Sequence, residues 1–434
     1  MSVDLSSCRR EFPSLALRVN GNVAAYFDGP GGTQVPTRVI EAITRYFREA
    51  NANCHGEFVT SQRTDEIISA ARQAVADMLG AASADEIAFG PNMTTLNFAL
   101  SRAIGRALAP GDEIVITDLD HEANRSPWQA LEEKGVVVRS VRVNIPECTL
   151  DYDDLERAIT DRTKVVALGY ASNAVGTIND VRRASALAHS VGALCVVDAV
   201  HYAPHGVIDV RDIECDFLLC SAYKFFGPHI GIMYGRRDVF ERLVTYKVRP
   251  QNPAAPYKIE TGTLNHEGIA GVIEALEFIA SLGDAAEGVE GHNDGAKTAR
   301  GLQAHPEGAS ERSERRSRIL AGLRAIELHE RPLFSRLMDG LASIRKVTVY
   351  GLPAQAERTP TVSFTIEGRR PLDVARFLGQ RGIFVWHGDF YATTLIERLG
   401  LAKAGGVVRV GMAPYNTMEE VERLLEAVEE CARH

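Results

Sequence analysis

The sequence lacks the features of a membrane protein, a disulfide framework or a nucleic-acid binder. No apolar run reaches the roughly 18 residues that a membrane span requires, so we expect no membrane partner. The seven cysteines are odd in number and form no Cys-x-x-Cys pair, which is typical of a reducing compartment. The net charge of −9 argues against nucleic acid, because phosphate binding needs clustered cations. The N-terminus shows no secretory signal, so we predict a cytoplasmic protein.

Nucleotide-binding signatures are also missing. No Gly-x-Gly-x-x-Gly follows a strand-like run, and no Gly-x-x-x-x-Gly-Lys-[Ser/Thr] is present. No group of histidines and carboxylates has a recognisable metal-ligand spacing. A nicotinamide-dependent dehydrogenase is therefore disfavoured, although dinucleotide binding would revive it.

The chain has an ordinary globular composition and a clear α/β pattern. Its 434 residues, 45% hydrophobic and 24% charged, suffice for two or three domains of roughly 100–200 residues. Short runs rich in β-branched residues alternate with helical patterns between about residues 85 and 235, which predicts an α/β domain with a mostly parallel sheet. The predicted buried parallel strands are Glu86–Phe89, Glu113–Thr117, Val136–Val141, Lys164–Leu168, Ala193–Val197 and Phe217–Cys220.

The C-terminal third predicts a smaller α+β domain. Its strand-like runs are Val347–Tyr350, Thr361–Ile366 and Val407–Gly411. One helix should begin at Pro371 and end near Gly382, and the last should begin at Thr417 with a capping box to Glu420. We therefore predict a large domain over residues 21–286, a polar connecting segment over 287–318 that forms a surface loop or hinge, and a small domain over 319–434 together with 1–20.

Candidate site residues follow the predicted strands, at the sheet edge where open α/β sheets bind ligands. After the first strand, the helix N-terminus with Thr94 and Thr95 would suit a phosphate, or Thr94 would simply cap the helix. After the second strand, His121 could stack on a planar heterocycle and Asn124 could donate a hydrogen bond to it. The alternative is that His121 lies in an ordinary surface loop.

Asp198 and Lys224 stand at the ends of two further apolar runs. The Asp198 carboxylate could keep a pyridinium nitrogen protonated, as an electron-sink cofactor requires, or it could cap a helix. His201 would face the same cleft. Lys224 emerges into a turn of aromatic, Gly and Pro residues, where desolvation would favour a neutral amine able to form a Schiff base. The alternative is a surface lysine that reaches solvent.

Together these residues resemble the class V family of pyridoxal-phosphate (PLP) aminotransferases, and within it the cysteine desulfurase-like proteins. The resemblance extends from Tyr26 to Arg409 and is tightest from Val197-Asp-Ala-Val-His to Ser221-Ala-Tyr-Lys-Phe-Phe-Gly-Pro-His-Ile-Gly. It implies the fold of the type I PLP-dependent transferases, PLP as cofactor, a small amino-acid substrate and a homodimer with an active site shared across the interface.

The resemblance also implies a role for each matching residue. Lys224 would hold the cofactor and move protons, Asp198 would pair with its ring nitrogen, and His121 would stack on its ring. Asn173 would lie beside the ring hydroxyl or the substrate, and Arg409 would bind the substrate carboxylate. The phosphate contacts that the resemblance implies are Thr94, Thr95, Ser221 and Tyr223. The segment Thr261-Gly-Thr263 would contact the phosphate bound in the neighbouring subunit.

The sequence departs from the desulfurase pattern at its most reactive position. Trp386-His-Gly-Asp-Phe-Tyr-Ala has no cysteine where desulfurases place the thiolate that accepts sulfur. His387, Asp389 and Tyr391 could supply a substitute acid or base, or form a polar surface turn. Cys54 is the one cysteine that could reach the site from the N-terminal part.

Three other departures are smaller. His201 replaces the usual glutamine and Tyr223 the usual histidine, which predicts retuning rather than loss of function. The polar segment 287–318 is unusually long and could form a lid. We predict a PLP-dependent carbon–sulfur lyase or aminotransferase. Decarboxylative carbon–carbon bond formation, epimerisation and a non-catalytic protein that binds a partner remain alternatives.

Overall fold

The structure, a computed structural model, describes residues 3–286 and 309–433. The α-helices in chain order are α1 (Thr37–Glu49), α2 (Val59–Leu79), α3 (Met93–Ile104), α4 (Ser126–Gln129), α5 (Tyr152–Ala158), α6 (Val181–Ser190), α7 (Val210–Ile213), α8 (Arg237–Arg242), α9 (His266–Ala286), α10 (Ala309–Ser343), α11 (Pro371–Gly379), α12 (Thr393–Arg398) and α13 (Met418–Arg433). The strands are β1 (Arg18–Val19), β2 (Asn22–Val23), β3 (Ala25–Tyr26), β4 (Ile87–Gly90), β5 (Glu113–Thr117), β6 (Val137–Val141), β7 (Val143–Asn144), β8 (Thr149–Leu150), β9 (Thr163–Gly169), β10 (Leu194–Asp198), β11 (Phe217–Ser221), β12 (Gly231–Gly235), β13 (Val347–Tyr350), β14 (Thr361–Ile366), β15 (Ile383–Phe384), β16 (Trp386–Gly388) and β17 (Val407–Gly411).

A seven-stranded sheet in the order β4-β12-β11-β10-β9-β5-β6 forms the centre of the large domain. Only β12 runs antiparallel to its neighbours, so the six predicted strands all run in one direction. The predicted α/β domain with a mostly parallel sheet is confirmed. The prediction that Val136–Val141 is buried is wrong for most of that run, because β6 has a neighbour on one side only and its residues up to Ser140 are exposed or half-buried.

Helices cover both faces of this sheet. Two of them, α9 and α10, approach each other closely because glycines lie at their contact. A Cβ on Gly322 of α10 would lie 1.9 Å from the carbonyl oxygen of Ile279 in α9, and a Cβ on Gly283 of α9 would lie 2.7 Å from the Gly322 nitrogen. The two helices therefore pack backbone against backbone. This close contact joins the first half of α10 to the large domain.

The small domain contains an antiparallel sheet, β13-β14-β17-β16. The second half of α10 shares a hydrophobic core with this sheet, as do α11 and α13. This α+β arrangement was predicted. The helix that begins at Pro371 ends at Gly379 rather than near Gly382. The predicted capping box is confirmed: the Glu420 amide donates to Thr417 Oγ1 (3.3 Å) and the Thr417 amide donates to Glu420 Oε2 (3.2 Å).

The segment 287–318 is only partly covered by the described residues. Residues 287–308 lie outside them, so the loop or lid prediction is untested there. Residues 309–318 are not a loop, since they form the first turns of α10, where Arg315 pairs with Asp77 of α2 (2.7 Å).

Near the N-terminus, Phe12 packs on Phe278 (5.2 Å between ring centroids) and on Tyr415 (5.0 Å). The domain limits themselves stay a prediction.

In the described ranges, no helix is both long and apolar enough to cross a membrane.

Candidate active site

A cavity of about 590 Å³ lies at the carboxyl ends of the large-domain strands, where β16 and β17 of the small domain close over them. Polar lining residues end or follow five strands of the large sheet, β4, β5, β9, β10 and β11, and Arg409 comes from β17. The sequence-predicted residues that line it are Thr94, His121, Asn173, Asp198, His201, Ser221, Tyr223, Lys224, His387, Asp389, Tyr391 and Arg409. Thr95 and Thr263 do not line this cavity, and both are exposed.

Lys224 is a buried amine at the end of a tight turn. It closes the 3-10 turn Ala222–Lys224 after β11 and precedes two fully buried phenylalanines. Its Nζ donates a hydrogen bond to the Pro30 carbonyl, and the residue is only 8% exposed. Burial, and next the charge of Arg409, lower the pKa of Lys224 to about 7. The amine is therefore nucleophilic near neutral pH, which a surface lysine would not be.

Asp198 ends β10 and presents a carboxylate to the same cavity. Its Oδ1 accepts a hydrogen bond from the Val200 amide (2.9 Å). No helix among the described residues begins there, so the capping alternative is wrong. Burial raises the pKa of Asp198 to about 6. A cationic ring nitrogen bound beside this carboxylate would oppose that effect and keep it ionised.

His121 lines the cavity and caps the short 3-10 turn Glu122–Asn124, so the surface-loop alternative does not hold. Its Nδ1 accepts a hydrogen bond from the Ala123 amide (2.9 Å), which leaves the proton of the neutral ring on Nε2. Burial, and next the charge of Lys224, lower the pKa of His121 to about 4. A neutral ring suits stacking on a planar heterocycle. Asn124, by contrast, does not face the cavity: it is fully buried and donates to Asp120 Oδ2 (3.2 Å).

The N-terminus of α3 lies at another side of the cavity. The prediction that Thr94 caps this helix is wrong, because Asn92 is the N-cap and its side chain accepts from the Thr95 amide (2.8 Å). The Thr94 hydroxyl, without a hydrogen-bond partner in the described chain, is left for the cavity. Ser221 Oγ accepts from the Met93 amide (3.1 Å). Hydroxyls beside a helix N-terminus form a site suited to a phosphate.

Arg409 and Asn173 lie together on the small-domain side. Arg409 is 5% exposed, and its Nη1 donates to the Asn173 carbonyl (3.0 Å). Burial lowers the pKa of Arg409 to about 9, so the guanidinium stays charged at neutral pH. The buried Asn173 Oδ1 accepts no hydrogen bond from the described part of the protein, while Nδ2 donates to the Phe390 carbonyl (2.9 Å). A cation and an orphaned amide oxygen are thus available to a ligand.

His201 and Tyr223, which replace the glutamine and the histidine usual in desulfurases, also line the cavity. His201 Nε2 lies 3.1 Å from the hydroxyls of both Thr359 and Thr361, which come from the small domain. Tyr223 stacks on His229 with 5.0 Å between ring centroids. Both side chains are fixed by protein contacts.

Sequence reasoning missed Asp120, which also lines the cavity. Its Oδ1 accepts from the Gly169 amide (2.7 Å), and burial raises the pKa of Asp120 to about 7. Its position directly before His121 at a strand end was the available signal. Gly169 of β9 thus contacts Asp120, which follows β5, and pairs with Asp198 of β10.

Strand β16 contributes His387 to the cavity mouth, and the loop after it contributes Asp389 and Tyr391. Asp389 is occupied by its own loop, since Oδ1 accepts from the Tyr391 amide and Oδ2 from Thr393 Oγ1, both at 3.1 Å. The His387 side chain has no hydrogen-bond partner among the residues described. No cysteine lines the cavity as described, and Cys54 lies elsewhere, with Sγ 3.4 Å from His266 Nε2.

This set of side chains fits PLP. A buried amine of lowered pKa, a carboxylate at a strand end, a neutral imidazole, and hydroxyls at a helix N-terminus match the aldehyde, ring nitrogen, ring face and phosphate of that cofactor. The orphaned Asn173 Oδ1 and the charged Arg409 remain for a substrate. The fold and the site define a PLP-dependent enzyme of fold type I.

Comparison with known proteins identifies the family. The aminotransferase class-V profile matches residues 25–321 and 316–424, so the chain belongs to the aminotransferase class-V family. It is 30% identical over its full length to a cysteine desulfurase of Pectobacterium carotovorum, covering 99% of that protein. It is 30% identical to a probable cysteine desulfurase of Halalkalibacterium halodurans, over 98% of this chain and 97% of the relative.

Solved structures give the same result. The apo cysteine desulfurase of Thermococcus onnurineus superposes with a TM-score of 0.81 at 28% identity, covering 100% of this chain and 99% of that one. The cysteine desulfurase CsdA of Escherichia coli, in its S-sulfonic acid form, gives 0.80 at 26% identity, covering 99% and 98%. The chain is a cysteine desulfurase-like, PLP-dependent enzyme.

Proposed function

We propose that this enzyme breaks a bond at Cα or Cβ of a small amino acid, as a carbon–sulfur lyase or an aminotransferase, without a persulfide on its own chain. The observation that carries the proposal is the convergence of Lys224, Asp198, His121 and Arg409 on one cavity whose mouth loop has no thiol. A protein that merely binds a partner has no physical need to bury these four groups together.

The chain's own residues would divide the work. PLP, when bound, supplies an electron sink that lets bonds at the substrate's Cα and Cβ break. Lys224 would hold the cofactor and then move a proton at Cα, since its pKa of about 7 lets the amine both accept and release one. Asp198 would keep the ring nitrogen protonated. Arg409 would bind the substrate carboxylate as a bidentate ion pair and so set which bond at Cα faces the ring.

The mouth loop supports chemistry without a protein thiol. Asp389 is engaged within the loop, so His387 and Tyr391 are the groups left to exchange a proton with the substrate's side chain, and we propose His387 for this role. A sulfur leaving group protonated there would depart as sulfide rather than be captured by a cysteine. The same imidazole would serve a transamination as a proton carrier.

We also propose a homodimer that shares its active sites. Thr261 and Thr263 are exposed and do not line this chain's own cavity, so they are available to a neighbouring subunit's phosphate. Large apolar side chains are exposed at the end of α1, at the start of α2 and just before this segment, which is typical of an interface. They are Phe47, Phe58, Val59, Val244, Tyr246 and Val248.

The proposed function is tested by visible spectroscopy of the PLP-loaded protein with a panel of small amino acids, followed by mass spectrometry of the products. We expect one amino acid to shift the visible band. Release of sulfide from L-cysteine or a related substrate would identify a carbon–sulfur lyase, and a keto acid with aminated cofactor would identify an aminotransferase. Carbon dioxide release or racemisation would instead support decarboxylative bond formation or epimerisation.

Two variants serve as controls. Lys224→Ala should abolish the visible band of lysine-bound cofactor and turnover together. Cys54→Ser should leave turnover unchanged, and its inactivation would contradict chemistry without a protein thiol. A wild-type protein that never forms the band with excess PLP would favour the non-catalytic alternative.

A further inference from the structure

The loop at the cavity mouth contains two consecutive residues in a strained backbone conformation. Phe390 and Tyr391 have φ angles of 56° and 57°, in the left-handed region that bulky side chains rarely adopt. Such a conformation persists only where surrounding contacts hold it, and these residues concentrate at functional sites. The contacts around this turn therefore indicate what the strain achieves.

Hydrogen bonds from three parts of the chain fix the turn. The Glu122 amide donates to the Tyr391 carbonyl (2.7 Å), and Asn173 Nδ2 donates to the Phe390 carbonyl (2.9 Å). Within the loop, Asp389 accepts from the amides of Tyr391 and Ala392 through its side chain and its carbonyl. Two large-domain residues, Glu122 beside His121 and Asn173, therefore hold this turn of the small domain in place.

The strained turn places an aromatic ring against the buried cation. The Arg409 guanidinium carbon lies 4.1 Å from the Phe390 ring centroid. Its one protein hydrogen bond in the described structure is the contact from Nη1 to the Asn173 carbonyl (3.0 Å). Asn173 therefore touches both Arg409 and the Phe390 backbone. The ring face supplies a further contact beside the charge of Asp28, and it restricts the plane of the guanidinium.

We propose that Phe390 is a positioning residue that orients Arg409 for a substrate carboxylate, and that the left-handed turn is the cost of bringing its ring there. The proposal rests on the proposed function for the identity of the anion that Arg409 binds. The stacked ring leaves the edge of the guanidinium, where its N–H groups lie, for a bidentate carboxylate. Removal of the Phe390 ring should therefore lower the affinity only for ligands that carry a carboxylate.

The first test compares L-alanine with ethylamine, which is the same amine without the carboxylate. Their dissociation constants are read from the visible band of the PLP-loaded protein. Phe390→Leu should weaken L-alanine binding about tenfold and ethylamine binding less than twofold. Phe390→Tyr, which keeps the ring face, should restore the affinity for L-alanine. Equal losses for both probes, or none, would overturn the proposal.

The chain offers a matched control at another arginine–aromatic pair. Arg381 lies 3.5 Å from the Phe377 ring centroid, and neither residue lines the cavity. Phe377→Leu should leave the affinities for both probes unchanged. A loss as large as that of Phe390→Leu would mean that the effect is a general one of removing a half-buried ring.

The second test addresses the strain in unloaded protein and so does not depend on the proposed function. Glycine adopts a positive φ without cost, whereas alanine does not. Phe390→Gly should therefore unfold at a higher temperature than Phe390→Ala, although both lack the ring. At Gly379, in helical backbone with open space around a Cβ, the alanine variant should be the more stable one. The same order at both positions would refute strain at Phe390.

The two tests separate the ways of failing. If wild-type protein forms no visible band, the proposed function fails while the order of the glycine and alanine variants still reports on the turn. If the band forms and responds to L-alanine but Phe390→Leu binds it normally, the positioning role alone fails.

Discussion

At the scale of single residues, the charge balance around Lys224 controls when its amine can react. Burial and Arg409 lower the pKa of Lys224, whereas Asp198 raises it. Only the neutral amine attacks an aldehyde, so the rate of PLP loading should rise as pH increases through about 7 and then level off. Stopped-flow absorbance of unloaded protein mixed with PLP measures this rate.

The neighbouring charges should shift that midpoint in opposite directions. Arg409→Gln removes a positive charge and should move the midpoint to higher pH, since the ammonium form becomes less unfavourable. Asp198→Asn removes a negative charge and should move it to lower pH. A midpoint near that of an exposed lysine, or shifts of the same sign, would contradict the assignment of the loading amine.

At the scale of secondary-structure elements, the capping box of α13 provides a direct stability test. Thr417→Ala removes the hydroxyl that accepts from the Glu420 amide and should lower the free energy of unfolding by about 1 kcal/mol, measured by urea titration. Thr417→Ser keeps the hydroxyl and should cost much less. Equal losses would show that the methyl group, not the cap, stabilises this end.

The contact between α9 and α10 leads to a stronger expectation. Gly322→Ala places a methyl group on the Ile279 carbonyl and should destabilise the protein by about 1–3 kcal/mol, even though alanine favours helices. Gly379→Ala in α11 meets nothing within 4 Å and should be neutral or stabilising. Urea titration of the two variants separates crowding at the interface from helix propensity. A stable Gly322→Ala protein would mean that the helices can separate without loss.

Elements were predicted well where the pattern is local. The six parallel strands are marked by short apolar runs, four of them rich in β-branched residues, and the last helix is marked by its capping box. The antiparallel strand β12 was missed, because its glycines at both ends make Gly231–Gly235 resemble part of the turn after Lys224. At α3 the capping alternative named Thr94, whereas Asn92, a residue type equally favoured as an N-cap, occupies that position two residues earlier.

At the scale of the whole molecule, the site depends on contacts that no local pattern contains. Lys224 meets Pro30, 194 residues away, and His201 meets Thr359, 158 residues away. The family resemblance predicted roles for the residues at the strand ends, because the short motifs that contain them follow one another along the chain in the order typical of the family. It did not supply Asp120, nor the packing of Phe390 on Arg409, which follow from how the small domain closes over the sheet.

Assembly is the remaining property of the whole molecule. Light scattering should give twice the chain mass of 47.3 kDa. Phe47→Asp together with Phe58→Asp should produce a monomer with weakened PLP binding, because Thr263 would no longer reach a neighbouring site. A wild-type monomer that binds PLP normally would contradict the shared active site.

The central claim, that Lys224 carries the cofactor, is tested most directly by reductive trapping. Borohydride would fix PLP covalently on its lysine, and peptide mass spectrometry would locate the added mass. The account predicts modification of the peptide containing Lys224, abolished in Lys224→Ala. Modification of another lysine in the wild-type protein, or of none at all, would contradict it.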